Sequence, residues 1–230
     1  MSNLITRYDL FSSPIWQFKY PNFEQEQYDI INYLMRDQLY FTDRERNGLQ
    51  ISEGDLHVND EFLVPVRNFI QSSFEQVMDI AGYEPNCGIT SMWATRHRQG
   101  GFHHEHSHKN SFLAAVFYVF DDGGNAPGTI FKNNNSNLYQ IQPRIKKGSA
   151  EFFASKKEIP FTPGTLIVFP SWMTHYTVPS KSMIRVVLSA NCMPIGRTNS
   201  DHYDQYEYPD PADIGYLNLD EHIKVGYGKS

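Results

Sequence analysis

Four of the chain's nine histidines, His103, His104, His106 and His108, fall within six positions in the stretch GGFHHEHSHKN. Neutral imidazole is the commonest protein ligand for a metal ion, so a cluster this dense points to metal chemistry. A solvated His-rich loop would share the composition, and composition alone does not separate the two. On an extended chain alternate side chains share a face, which puts His104, His106 and His108 on one side and His103, Glu105 and Ser107 on the other. Two histidines one residue apart can chelate one ion from one strand, and Gly100-Gly101 lets the chain enter that strand tightly. A second segment, TPGTLIVFPSWMTHYTVPS, runs from a Pro-Gly turn through an apolar strand to a Pro-Ser corner and presents His175. Ten residues later Arg185 interrupts the apolar run SMIRVVLSAN. A buried guanidinium needs an anionic partner, either an internal carboxylate or a ligand.

These residues need a scaffold, and the pattern changes along the chain. Residues 24–36 place Tyr28, Ile31, Leu34 and Met35 on one face of a helix. A second helix is expected after Asn59 and Asp60 as N-cap residues, carrying Phe62, Val66, Phe69, Ile70, Phe74, Val77 and Ile80 at spacings of three and four, with Pro65 in its first turn. From residue 88 onward short β-like runs take over: ITSMWATR, FLAAVFYVF, GTIFKN, TLIVF and IRVVLSAN, separated by turn formers such as DDGGNAPG and VPSKS. Helices followed by a run of strands predict a β-sandwich or barrel braced by helices on one face. One domain over 1–197 is expected, with helical support at about 20–85 and the β core at about 88–193. The acidic, Tyr-rich extension 198–230 could wrap the barrel, contact a second subunit to make a homodimer, or stay mobile.

With 26 acidic against 20 basic residues and a net charge of −6, the chain is not built for sequence-independent nucleic-acid binding, which needs a basic surface. Two cysteines, Cys87 and Cys192, cannot make a disulfide framework and fit a reducing compartment. The longest apolar run, Phe112 to Phe120, is far short of the roughly 20 residues a membrane helix needs, and the N-terminal residues contain no apolar signal core. A cytoplasmic protein (in the host cytoplasm if viral) that does not enter a membrane is expected.

A His pair, a distant His and an Arg about ten residues beyond it resemble the iron(II)/2-oxoglutarate-dependent oxygenase superfamily, in particular oxygenases of bacteria and phages related to prolyl hydroxylases. The resemblance is carried by HSHKNSFLAAVFYV, GTIFKN, PGTLIVFPSWMTHYTVPS and IRVVLSAN, and covers roughly residues 88–193. It implies a mainly β, cupin-like double-stranded β-helix, or jelly roll. It implies that His106, His108 and His175 hold Fe(II), that 2-oxoglutarate and O2 are co-substrates, and that Arg185 grips the distal carboxylate of 2-oxoglutarate. Tyr118 matches a tyrosine that helps bind that carboxylate in prolyl hydroxylases, and as a bare residue it reads equally as a core aromatic. The usual triad is two histidines and a carboxylate, whereas position 108 is His. A shifted register, His103 with Glu105, would restore the carboxylate. The resemblance instead selects 106 and 108, because HKNSF then aligns with the family's continuation.

Three functions follow from these residues. The first is hydroxylation of an unactivated C–H bond coupled to decarboxylation of 2-oxoglutarate, with a prolyl residue, a nucleobase or a small metabolite as the primary substrate. The second is a cupin-type metalloenzyme without 2-oxoglutarate, which typically adds a Glu where Phe112 stands and leaves Arg185 without a purpose. The third is a non-catalytic jelly-roll binding module. The loops Asp121–Pro127 and Lys132–Tyr139 are expected to line the open end of the barrel.

Overall fold

The computed structural model describes residues 13–41, 48–83, 86–133, 154–198 and 206–208. In chain order its main elements are β1 (Trp16–Lys19), α1 (Phe23–Leu34), β2 (Leu49–Ile51), α2 (Leu56–Asn59), α3 (Val64–Ile80), β3 (Cys87–Arg98), β4 (Leu113–Asp121), β5 (Thr129–Lys132), β6 (Lys156–Ile159), β7 (Thr165–Pro170), β8 (His175–Tyr176), β9 (Ile184–Pro194), β10 (Gly196–Thr198) and β11 (Tyr206–Tyr208). Six strands form an antiparallel sheet in the order β1-β7-β4-β9-β3-β2, and β6-β5-β8 form a second, three-stranded sheet. This is the jelly roll that the strand pattern and the resemblance imply.

Side-chain alternation decides which residues reach which face of the large sheet. Leu113, Ala115, Phe117 and Val119 of β4, Leu166 and Val168 of β7, and Val186, Leu188 and Ala190 of β9 pack with Leu34, Val66, Ile70, Phe74 and Val77 of the helices. The residues between them, Ala114, Val116, Tyr118, Ile167, Phe169 and Val187, turn inward and meet Phe131 and Met173. Registers agree across strands: Phe117 stands opposite Leu166 and Leu188, and Val116 opposite Ile167 and Ser189. The central strands are therefore apolar on both faces, which is why FLAAVFYVF reads as an unbroken hydrophobic run. Phe117 also receives edge-on contacts from Tyr20, Phe23 and Phe69 at 5.7–6.1 Å between ring centres, tying both long helices to the sheet.

Four expectations need correction. Tyr28 is 73% exposed; the buried face of α1 is Phe23, Ile30 and Leu34. Leu63 is the N-cap of α3, and Asn59 ends the separate helix α2. Asp60 still serves the start of α3, because its Oδ1 accepts the Leu63 N–H at 3.2 Å. Phe62 and Ile80 are exposed, and Ser73 and Met78 join the buried face of α3 instead. The His-rich stretch is not a strand: only His106 makes an isolated bridge, to His175. β1 and β2 complete the large sheet from outside 88–193, and the expected C-terminal extension lies outside the described residues apart from 198 and 206–208. No described helix is long and apolar enough to cross a membrane. Cys87 and Cys192 are free and buried.

Phe117→Ala should lower the unfolding free energy in urea by about 3–5 kcal/mol, the usual cost of a buried Phe→Ala cavity; a loss below about 1 kcal/mol would show that the helices do not depend on it. His57 on α2 is partly buried, and burial pushes its imidazole from 6.5 down to about 4. Between those values the unfolded chain binds the proton first, so this stability is complete above pH 6.5 and lost as pH falls toward 4. Unfolding free energies measured from pH 7 to 4 should decline, and less steeply in His57→Gln. An identical slope in that variant would remove His57 from the titration.

Candidate metal and anion site

The site lies on the inner face of the large sheet, where β3 and β9 run side by side and the chain segments 101–108 and 171–177 close over them. Gly100 has φ 80°, a left-handed conformation that favours glycine, and Gly101 lies where a Cβ would stand 2.5 Å from the Gly48 carbonyl oxygen. This turn carries the His-rich stretch back across the sheet. The stretch is held largely by backbone bonds, with His103 N–H also donating to Thr177 Oγ1 at 2.8 Å. The His106 and His175 N–H groups donate to each other's carbonyls at 3.0 and 2.9 Å, His108 N–H donates to Ser171 O at 2.9 Å, and Thr177 N–H to His103 O at 3.1 Å.

Three imidazoles converge as a result. One ring nitrogen from each of His106, His108 and His175 lies within 4.8 Å of the others. Hydrogen bonds assign the tautomers. His106 Nδ1 donates to the His104 carbonyl at 2.8 Å and His175 Nδ1 to the Met173 carbonyl at 2.9 Å, leaving both Nε2 lone pairs bare. His108 Nε2 lies 3.3 Å from His175 Nε2, and the Asn191 side chain stands beside the His108 ring. In the apo protein His108 Nε2–H can donate to the bare His175 Nε2; with the His108 proton on Nδ1 instead, three lone pairs share one volume, an arrangement that repels unless a cation lies between them. Nitrogens at right angles on one first-row ion with bonds of about 2.1 Å stand about 3 Å apart, so this donor set fits a divalent ion.

Burial, reinforced by neighbouring imidazoles, pushes His106, His108 and His175 each down to about 3, so all three are uncharged at neutral pH. His175 is wedged by Phe169 edge-on at 4.8 Å and Phe131 at 5.7 Å, and His108 stacks near Trp93 at 5.8 Å. Glu105 of the alternative register points away and pairs with Lys132 at 2.8 Å. His103 has moved to the site side, with its ring 4.0 Å from that of His106. The simple alternation expected of a strand fails here because the stretch is irregular.

Arg185 lines the same cavity, which encloses about 430 Å³, part of it open to solvent. Its side chain is 1% exposed, Nε donates to the Pro127 carbonyl at 3.1 Å, and Nη1 contacts His97 Nδ1 at 3.0 Å. Phe161 lies under the guanidinium at 5.2 Å. Burial pushes its pKa down to about 10, so it stays charged; no described carboxylate lies at ion-pair distance, and Asp121, opposite it in the β4–β9 register, adds a favourable charge from farther away. Tyr118 is fully buried 6.0 Å from Arg185; its hydroxyl donates to Thr129 Oγ1 at 2.8 Å, and Thr129 is the residue that lines the cavity. Trp93, Thr95, His97, Thr177 and Ser189 also line it and were not singled out from sequence. The signal was available: 93, 95 and 97 alternate on one face of a strand whose neighbour carries Arg185. The Asp121–Pro127 loop contributes the Pro127 carbonyl, and residues 134–139 of the second loop lie outside the described residues.

Comparison with known proteins bears on the family and the fold. The family described as "Putative 2OG-Fe(II) oxygenase" matches residues 91–191, which run from β3 to β9 and contain every residue of the site. No curated protein sequence matches. Among solved structures, the chain is similar to the viral collagen prolyl hydroxylase of Paramecium Bursaria Chlorella virus-1 in its 2OG complex (TM-score 0.51, 13% identity, 79% of this chain and 96% of that one). It is similar to a Pseudomonas putida prolyl-4-hydroxylase (0.53, 12%, 81% and 95%) and to HygX from Streptomyces hygroscopicus with nickel, 2-oxoglutarate and hygromycin B bound (0.53, 10%, 88% and 96%). At these identities the structural likeness speaks for the fold.

His175→Ala and His108→Ala should each weaken Co(II) or Fe(II) binding beyond the roughly 10–100-fold that changes behind a ligand cost, read by isothermal titration. Glu105→Gln should bind like the parent, and His108→Asp should retain the ion. Metal lost in Glu105→Gln but kept in His108→Ala would reverse the ligand assignment.

Proposed function

We propose, from the family match over residues 91–191, that the chain is an iron(II)/2-oxoglutarate-dependent oxygenase and that it hydroxylates a C–H bond of an organic substrate while 2-oxoglutarate is converted to succinate and CO2. Fe(II), 2-oxoglutarate and O2 are its cofactor and co-substrates. The observation that carries the finer reading is a buried, charged Arg185, without an ion-pair partner among the described residues, in the same cavity as three converging imidazoles. When bound, Fe(II) supplies the activation of O2 that couples oxidation of 2-oxoglutarate to oxidation of the substrate.

The protein's own part is binding, orientation and exclusion of water. His106, His108 and His175 offer three neutral donors from one side of the cavity and leave the other side free for ligands. Arg185 is preorganised by the Pro127 carbonyl and by Phe161, and its fork suits a carboxylate. Thr129 accepts the Tyr118 hydroxyl proton and keeps its own proton to donate into the cavity, so Tyr118 acts through Thr129. Val116 and Val187 provide apolar wall, which keeps bulk water from the reacting centre. A cupin-type enzyme without 2-oxoglutarate would use the imidazoles but leave Arg185 buried with no described carboxylate at ion-pair distance.

Purified protein should give a visible charge-transfer band on anaerobic addition of Fe(II) and 2-oxoglutarate, and should form succinate slowly without a primary substrate. Arg185→Ala should keep Fe(II) while losing 2-oxoglutarate affinity by about 2–5 kcal/mol, the range for truncating one partner of a buried charged pair; Arg185→Lys should recover part of it. Unchanged 2-oxoglutarate affinity in Arg185→Ala would return that residue to a structural role and favour the cupin-type alternative.

A further inference from the structure

Behind Arg185 stands a histidine that neither the metal set nor the guanidinium fully uses. His97 is 1% exposed, lies directly opposite Arg185 in the β3–β9 register, and lines the cavity. A guanidinium is a donor only. The 3.0 Å contact between Arg185 Nη1 and His97 Nδ1 therefore makes Nδ1 the acceptor and puts the ring proton on Nε2. Among the described residues that buried Nε2 has no hydrogen-bond partner. Buried donors are nearly always satisfied, so an unmatched one in a cavity wall calls for a ligand atom. The Pro127 carbonyl and the His97 ring, which accept from Arg185, are both neutral. They orient the guanidinium without cancelling its charge.

We propose that His97 is a second donor of the anion subsite, its Nε2–H binding the distal carboxylate of 2-oxoglutarate beside Arg185; this rests on the function proposed above. His97 thus does two things: Nδ1 positions the guanidinium, and Nε2–H meets the carboxylate. The subsite becomes selective for a 2-oxo acid with a second carboxylate at the far end, and pyruvate, which lacks that group, gains nothing from His97.

The test uses the full chain loaded with Zn(II), with 2-oxoglutarate and pyruvate as probes. In His97→Phe the Kd for 2-oxoglutarate should rise about 10–150-fold, as for loss of a hydrogen bond to a charged group, while the Kd values for pyruvate and Zn(II) change less than about twofold. His97→Gln, which keeps an amide donor, should stay nearer the parent. Should the Phe variant fail to fold, long-range 15N correlation spectra of the parent decide. The His97 ring should carry its proton on Nε2, and that resonance should move with 2-oxoglutarate and not with pyruvate. An unmoved resonance, a proton on Nδ1, or equal weakening of both 2-oxo acids in His97→Phe overturns the role of His97. Failure of the parent to bind 2-oxoglutarate would instead remove the function on which it rests.

Discussion

A strand in the middle of this sheet has to satisfy two environments at once, and the rest of the structure follows from that. Along β9 the even residues Val186, Leu188 and Ala190 enter the helix-covered core, while the odd residues Arg185, Val187 and Ser189 enter the cavity. A one-residue slip would drive Arg185 into the layer under α3 and turn Leu188 toward the metal ligands. The apolar face makes that slip prohibitive, so the hydrophobic core sets the register of the chemistry. β3 obeys the same rule, with Met92 and Ala94 on the core side and Trp93, Thr95 and His97 facing the cavity. The cross-strand pair of His97 and Arg185 is thus a consequence of packing on the opposite face.

Precision at the metal site has a different origin. His106 and His175 exchange backbone hydrogen bonds, so two of the three converging imidazoles are fixed to each other by the fold itself. Their Nδ1 atoms then bond to the carbonyls of His104 and Met173, each two residues earlier in the chain. The irregular stretch between Gly101 and Asn110 can hold this geometry because its amides are tied to the segment 171–177 rather than to a regular ladder. A regular strand would have placed His104 on the ligand side. The irregularity brings His103 beside His106 and sends Glu105 out to Lys132.

Much of this was legible in the sequence. Alternation and turn residues located the five principal strands of the core, because β4 and β7 are apolar on both faces, β3 and β9 carry apolar residues at alternate positions, β5 is apolar at its centre, and turn formers separate them. His175 and Arg185 were legible because each is polar within an apolar segment. What could not be read has physical causes. Tyr28 fits a helical stripe by type, but α1 buries Phe23, Ile30 and Leu34, and only tertiary packing selects between them. β1, β2 and β8 are two to four residues long, too short for a period to show. Thr129 and Ser189 have no sequence signature, since their relevance comes from the cavity they border. Tyr118 was read from a motif position; the fold gives it a buried hydroxyl bonded to Thr129, a partner eleven residues away on the next strand.

Charge explains why an all-imidazole set belongs with this particular wall. Three neutral histidines leave a divalent ion its full two positive charges, where a set containing a carboxylate would leave one. Arg185 adds a third positive charge; none of the residues lining the cavity is acidic, and Asp121, its cross-strand neighbour, offsets the guanidinium only from outside that lining. Opposite charges in a partly dehydrated cavity interact far more strongly than in water, so a site of this kind would favour a dianion that can reach both positive centres at once. 2-Oxoglutarate is such a dianion, and on the proposed function His106, His108 and His175 would hold the ion at one end of the cavity while Arg185 would meet a carboxylate at the other. A carboxylate at position 108 would strengthen the hold on the ion and weaken the field that draws in the co-substrate. On the proposed assignment the balance in this chain would be set the other way: ion binding would rely on three converging imidazoles, and the positive field would be left for the anion to neutralise.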